Sequence, residues 1–169
     1  MNPLRIVLGA LALVIAVATT VACSPDERAL WERWSHAEPI AAQQELAKRT
    51  PAEISSDAPL LTPDQFAGLA AHVAEVEQLT GCARYDRWID QAGLPAHFHA
   101  VMRRESTCVP TAHNRSGASG LLQLMPGWIG SCVAALGAAW AGLFDALSNI
   151  LCAAKVVYPR QGGGAWSTW

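Results

Sequence analysis

Four of the five cysteines in this 169-residue chain, Cys82, Cys108, Cys132 and Cys152, lie after residue 80. What four thiols do depends on the compartment they reach. Residues 1–22 read as a targeting segment: Arg5 supplies the positive start, and IVLGALALVIAVATTVA is a 17-residue apolar run that ends in small residues. The rest of the chain is therefore read as exported. In an oxidising compartment an even set of four cysteines closes into two disulfides, with three possible connectivities. Chain order favours Cys82–Cys108 and Cys132–Cys152. A metal site fits worse, because no C-x-x-C pair occurs and no histidine stands at finger spacing from these cysteines.

Cys23 directly follows Thr-Val-Ala. This placement resembles a lipobox, in which the cysteine becomes the acylated N-terminus after cleavage, and an envelope lipoprotein is the favoured reading. Plain cleavage is a second reading. A retained anchor is a third, since 17 residues is at the lower limit of a membrane span. All three export the remainder to the cell envelope or beyond.

The net charge of −2 argues against nucleic-acid binding by the chain as a whole. The charge is uneven. Residues 24–80 carry four Arg/Lys against ten Asp/Glu, and residues 81–169 carry seven against four. An acidic front and a mildly basic back imply two regions with different tasks. Residues 23–61 read as a tether, rich in charge and proline, with one short helix near 38–48. Trp31 and Trp34 sit on it at i, i+3, where they dock on the folded domain, graze a membrane or form a local apolar patch.

Residues 62–169 read as one all-α domain stapled by the disulfides. Thr62 is a helix N-cap, Pro63 takes the first helical position and Gln65 completes a capping box, with Leu61 placed to staple against Phe66. That helix runs to Leu79 and stops at Gly81. Helices over about 83–92 and from Pro95 to Ser106 follow. Residues 109–118 form a loop with Pro110, Asn114 and Gly117 as breakers. Short helices are expected at 119–125 and 127–136, and a long one over 145–158 with Asp145 as its N-cap. No run reads as a strand.

Chemistry centres on Glu105. Phe98, Val101 and Met102 fall at i, i+3 and i+4 of one helix face, and Glu105 is at i+7 of the same face. A carboxylate held there loses water, its pKa rises, and it suits general-acid work. The alternative is a helix-terminal glutamate that bends back to water. After Glu105 the only remaining acid is Asp145, which the N-cap accounts for. The five histidines have no serine or carboxylate at suitable spacing and read as solvent or core residues. QGGG near the end is not followed by a helix, so it is no phosphate loop. No cofactor and no metal are expected.

RESTCVP followed by NRSGASGLLQLMP, residues 104–126 with the intervening TAH, resembles the soluble lytic transglycosylase (SLT) family of the lysozyme-like superfamily. Looser similarity extends over about 82–169. The resemblance implies a lysozyme-like helical fold and a monomer that cleaves the MurNAc–GlcNAc glycan strands of peptidoglycan. It implies that Glu105 is the catalytic acid/base and that Ser106 supports the helix end. Gln123 would bond the sugar or the catalytic group, and Gly117 and Gly120 would let backbone approach a saccharide. Asn114, Ser116 and Met125 belong to the same motif, and Asn149 in DALSNILCAA matches a further family stretch. The family's Ala-Tyr-Asn motif has no counterpart after Asn149, and Trp166 or Trp169 is placed to close that side. Trp128 and the terminal tryptophans are sugar-stacking platforms or ordinary packing. A single carboxylate suffices when the substrate's N-acetyl group attacks its own anomeric carbon, giving a 1,6-anhydro product. A muramidase-type hydrolase, in which water replaces the C6 hydroxyl, and a non-catalytic peptidoglycan-binding lipoprotein are the rival readings.

Overall fold

The computed structural model describes residues 24–54, 60–161 and 166. The targeting segment 1–22, Cys23 and Trp169 lie outside the described residues. The chain divides into two compact units, one ending at Leu79 and one starting at Thr80. Among the described residues no helix is long and apolar enough to cross a membrane.

In the first unit, α1 (Pro25–Ala37), α2 (Pro39–Ala47), a short α3 (Pro51–Ile54) and α4 (Pro63–Glu77) follow one another. The capping box of Thr62 and Gln65 forms as its spacing predicts. The stretch read as a tether with one short helix instead carries two full helices, and α4 falls in this unit rather than with the residues that follow. The physical reason lies in the prolines. Pro25 and Pro39 occupy helix starts, where a missing N–H costs nothing. α1 packs on α2 and α4. Leu30, Trp31, Ile40, Val73 and Val76 are buried there. Glu38, buried between α1 and α2, accepts from Trp34 Nε1 at 3.1 Å and meets His72 Nε2 at 2.6 Å.

In the second unit, α5 (Cys82–Gln91) and α6 (Phe98–Ser106) precede the long loop. A 3₁₀ turn at Pro126–Trp128 runs into α7 (Ile129–Leu136), and α8 (Ala146–Cys152) continues through a π-helical turn at Ala153–Val157 into α9 (Tyr158–Gln161). Asp145 caps α8 by accepting from the Ser148 N–H at 2.7 Å. Both cysteine pairs are those that chain order favours. Cys82–Cys108 ties the start of α5 to the exit of α6, with Cα atoms 5.2 Å apart, and Cys132–Cys152 ties α7 to α8 at 5.3 Å. Phe98 and Met102 of α6 are fully buried, and Phe98 meets Tyr158 and Trp166 edge-on at 5.5 and 4.8 Å.

Residues 119–125 do not form the expected helix. Single antiparallel bridges join His113 to Ser119 and Ser119 to Leu124. Gly120 has φ +83° and Gln123 φ +46°, which a helix does not accommodate. Tertiary bonds hold this turn. The side chain of Asn149, fully buried, accepts from the Leu122 N–H at 2.8 Å and donates to the carbonyls of Ser119 at 3.1 Å and Leu143 at 2.8 Å. A Cβ on Gly120 would collide with the Leu143 carbonyl and the Asn149 amide, so glycine is needed for space as well as for φ.

Removing a disulfide as an alanine pair, Cys132→Ala with Cys152→Ala, should cost about 3 kcal/mol in urea denaturation, from the entropy a loop of this size regains. The loop spans a sequence separation of 20 residues. Asn149→Ala should cost about 3 kcal/mol as well, because it strands the buried Leu122 N–H and the Leu143 carbonyl together, while the Ser119 carbonyl keeps the Leu124 N–H. A urea midpoint within error of wild type for Asn149→Ala would remove the amide from this structural role.

Candidate functional site

Glu105 stands one residue before the end of α6, and the way that helix ends fixes it. Thr107 and Cys108 both adopt left-handed backbone, at φ 53° and 61°, without being glycine. Two such residues in succession are unfavourable and persist only when their surroundings over-determine them. Three bonds do so. The Ser106 hydroxyl donates to the Met102 carbonyl at 3.0 Å and accepts from the Cys108 N–H at 3.1 Å, and Cys108 is then held by its disulfide to Cys82. Ser106 thus ties the last turn of the helix to the residues just beyond it.

The Glu105 carboxylate turns toward the apolar side. Its Oε1 is buried and has no hydrogen-bond partner. Burial pushes its carboxyl above the ordinary glutamate range, with the Arg104 guanidinium opposing that rise in part. The other three acids after residue 80 are all engaged. Asp86 pairs with Arg103 through both carboxylate oxygens, Asp90 meets His99 Nε2 at 2.8 Å, and Asp145 caps α8. Glu105 is therefore the one acid of this unit with a buried carboxylate oxygen that no hydrogen bond serves.

The loop that follows is knit by its own side chains. Asn114 Oδ1 accepts from the Ser116 N–H, the Ser116 hydroxyl and the Ala118 N–H at 3.0, 2.7 and 3.0 Å. Gly117, at φ +93°, packs beside Pro126. Gln123 Nε2 donates to the carbonyls of Ala112 at 3.1 Å and Gly120 at 2.9 Å, so its amide nitrogen serves the loop itself. Asn149 closes this network from α8. Asn114, Ser116, Gly117, Gly120, Gln123 and Asn149 are thereby brought into one bonded assembly. Met125 and Trp128 stand on the chain just past it. Met125 is exposed and Trp128 half-buried, with the Arg160 guanidinium 6.0 Å from the Trp128 ring centre. Trp166 is buried and donates from Nε1 to the Leu122 carbonyl at 3.0 Å. It braces the turn from beneath and offers no open face for stacking.

Two contributors escape sequence reading. Ser148 is buried, donates to the Ala139 carbonyl and accepts from the Ala141 N–H. His113 Nδ1 lies 2.9 Å from the Ser119 hydroxyl, which donates to the Gly117 carbonyl at 3.0 Å. Neither has a local signal, because each partner is brought near by the turns between them. Among the described residues no cluster of histidine, cysteine or acids is arranged to hold a metal ion.

Comparison with known proteins meets this geometry over the same stretch. Residues 88–165 match the family model of the transglycosylase SLT domain. The probable transglycosylases IsaA of Staphylococcus aureus strains Newman, Mu50 and N315 are each 39% identical to this chain over 88 residues, covering 52% of this chain and 32% of the relative. This chain thus spans about a third of the length of those relatives. No solved structure matches it. The glutamate at the end of α6, the glycine-bearing turn that Asn149 locks and this family match all fall within one unit, whose residues 88–165 are similar to the transglycosylase SLT domain.

Proposed function

We propose that the unit from Thr80 onward is a glycan-cleaving lytic transglycosylase domain. It acts on the MurNAc–GlcNAc bond of peptidoglycan with Glu105 as its sole general acid/base. The observation that carries this reading is the buried, unpartnered Glu105 Oε1 in a unit whose other carboxylates are all engaged. A protonated Glu105 gives its proton to the leaving glycosidic oxygen. The MurNAc acetamido oxygen bonds to the anomeric carbon as the C–O bond breaks, which stands in for the second carboxylate of ordinary glycosidases. The carboxylate then takes the proton of the MurNAc C6 hydroxyl. That oxygen attacks the anomeric carbon, the acetamido group leaves, and a 1,6-anhydro ring closes. No water is consumed, and Glu105 ends protonated as it began.

Exposure of the exported chain, folded under oxidising conditions, to purified peptidoglycan should release anhydro-muropeptides by mass spectrometry. Glu105→Gln should lower that release by about 10²–10⁴-fold, the range for loss of a general acid/base. Reducing-end muropeptides would move the assignment to a muramidase, and no products from a folded chain that still sediments with the wall would favour a binding module.

The raised carboxyl pKa of Glu105 also fixes a pH signature. Cleavage needs the protonated acid, so the rate should hold at low pH and fall as pH rises through the raised value. Stability moves the same way. In that window the folded unit keeps a proton that the unfolded chain has released, so the group's contribution is full below the ordinary glutamate range and is lost as pH rises through the folded value. Glu105→Gln should match the wild-type melting temperature at acid pH and exceed it at neutral pH. Parallel melting curves for the two proteins at both pH values would sink the pKa argument.

A further inference from the structure

Phe144 is the most exposed large apolar side chain among the described residues, at 49%. Its segment is nonetheless tightly held. The neighbouring Leu143 is buried and its carbonyl accepts from Asn149 Nδ2. The Asp145 N–H donates to the Gly142 carbonyl at 3.3 Å, the Ala141 N–H donates to the Ser148 hydroxyl at 2.8 Å, and Asp145 caps α8. The same Asn149 amide bonds Ser119 and Leu122 in the motif turn. One buried side chain thus fixes an exposed aromatic ring in register with the turn that follows Glu105.

Across from Phe144 stands His113, with ring centres 6.1 Å apart and planes at 68°. Its tautomer follows from its partner. The Ser119 hydroxyl has one proton and donates it to the Gly117 carbonyl, so toward His113 it accepts, and His113 Nδ1 carries the hydrogen. In the neutral ring Nε2 is then a bare acceptor. The pair joins an apolar ring and an imidazole edge that offers an acceptor at Nε2 in this tautomer, with no carboxylate, ammonium or guanidinium in it. That combination suits a saccharide, whose C–H face lies on an aromatic ring while its hydroxyl and amide groups donate at the edge. It suits a phosphate or an acidic peptide poorly.

The geometry points to a saccharide-binding subsite at Phe144 and His113. Phe144 is the platform for an N-acetylhexosamine ring, and His113 Nε2 accepts from a sugar hydroxyl or acetamido N–H. The inference rests on the glycan reading above and extends it to residues outside the shared motif. Isothermal titration of the full chain with the β-1,4-linked N-acetylglucosamine tetramer tests it. Phe144→Ala and Phe144→Leu should each weaken binding roughly five- to tenfold, the scale of one aromatic contact, while Phe144→Trp should stay within about twofold of wild type. Because Leu keeps the apolar bulk but not the ring, equal binding by Phe144→Leu and wild type overturns the platform. A wild-type chain that does not bind the tetramer overturns the subsite as well. The two readings fail separately. Ring-dependent binding in a chain that releases no muropeptides keeps the subsite and removes the transglycosylase assignment. Ring-independent binding in a chain that cleaves peptidoglycan removes only the subsite.

Discussion

The second unit depends on one buried amide. Asn149 contributes a single acceptor and two donors, and spends them on the backbone of three separate residues: Leu122, Ser119 and Leu143. Leu143 is far in sequence from the turn that holds Ser119 and Leu122, and the amide joins the two. Without the amide, a turn with positive φ at Gly120 and Gln123 would hold buried polar backbone with no partner, which is costly in a low-dielectric interior. Gly120 is the complement to this amide, since its missing side chain is what lets the Leu143 carbonyl and the Asn149 side chain reach the turn.

The environment of Glu105 has a different physical origin. Glu105 sits at a helix end that Ser106 and the Cys82–Cys108 disulfide hold in a strained left-handed exit. One oxygen of its carboxylate, Oε1, is buried without a hydrogen-bond partner. A proton on that oxygen avoids the cost of a desolvated charge, so the environment favours the acid form.

Legibility in the sequence followed locality. The Thr62 capping box, the Asp145 N-cap, the disulfide pairs and the placement of Glu105 on the Phe98–Val101–Met102 face all rest on residues close in the chain or on chain order, and all are present in the structure. The turn at 119–124 was illegible because SGLLQL has helix-like composition, and only distant partners override it. The helices of the first unit were obscured by their charge and by prolines that mark starts instead of breaks. Trp166 reads equally well as platform or packing until its Nε1 is seen bonded to the Leu122 carbonyl.

The sequence by itself determined the helical class of the second unit, its staples, its family motif and the one carboxylate on an apolar face. These follow from periodicity, caps and residue chemistry, which act over a few positions. Only the tertiary structure decided that α4 belongs with α1 and α2, that Asn149 works as a brace, and that Phe144 is held exposed beside His113. Such outcomes depend on which buried polar groups find partners across long separations, and that competition is settled by the packed fold as a whole.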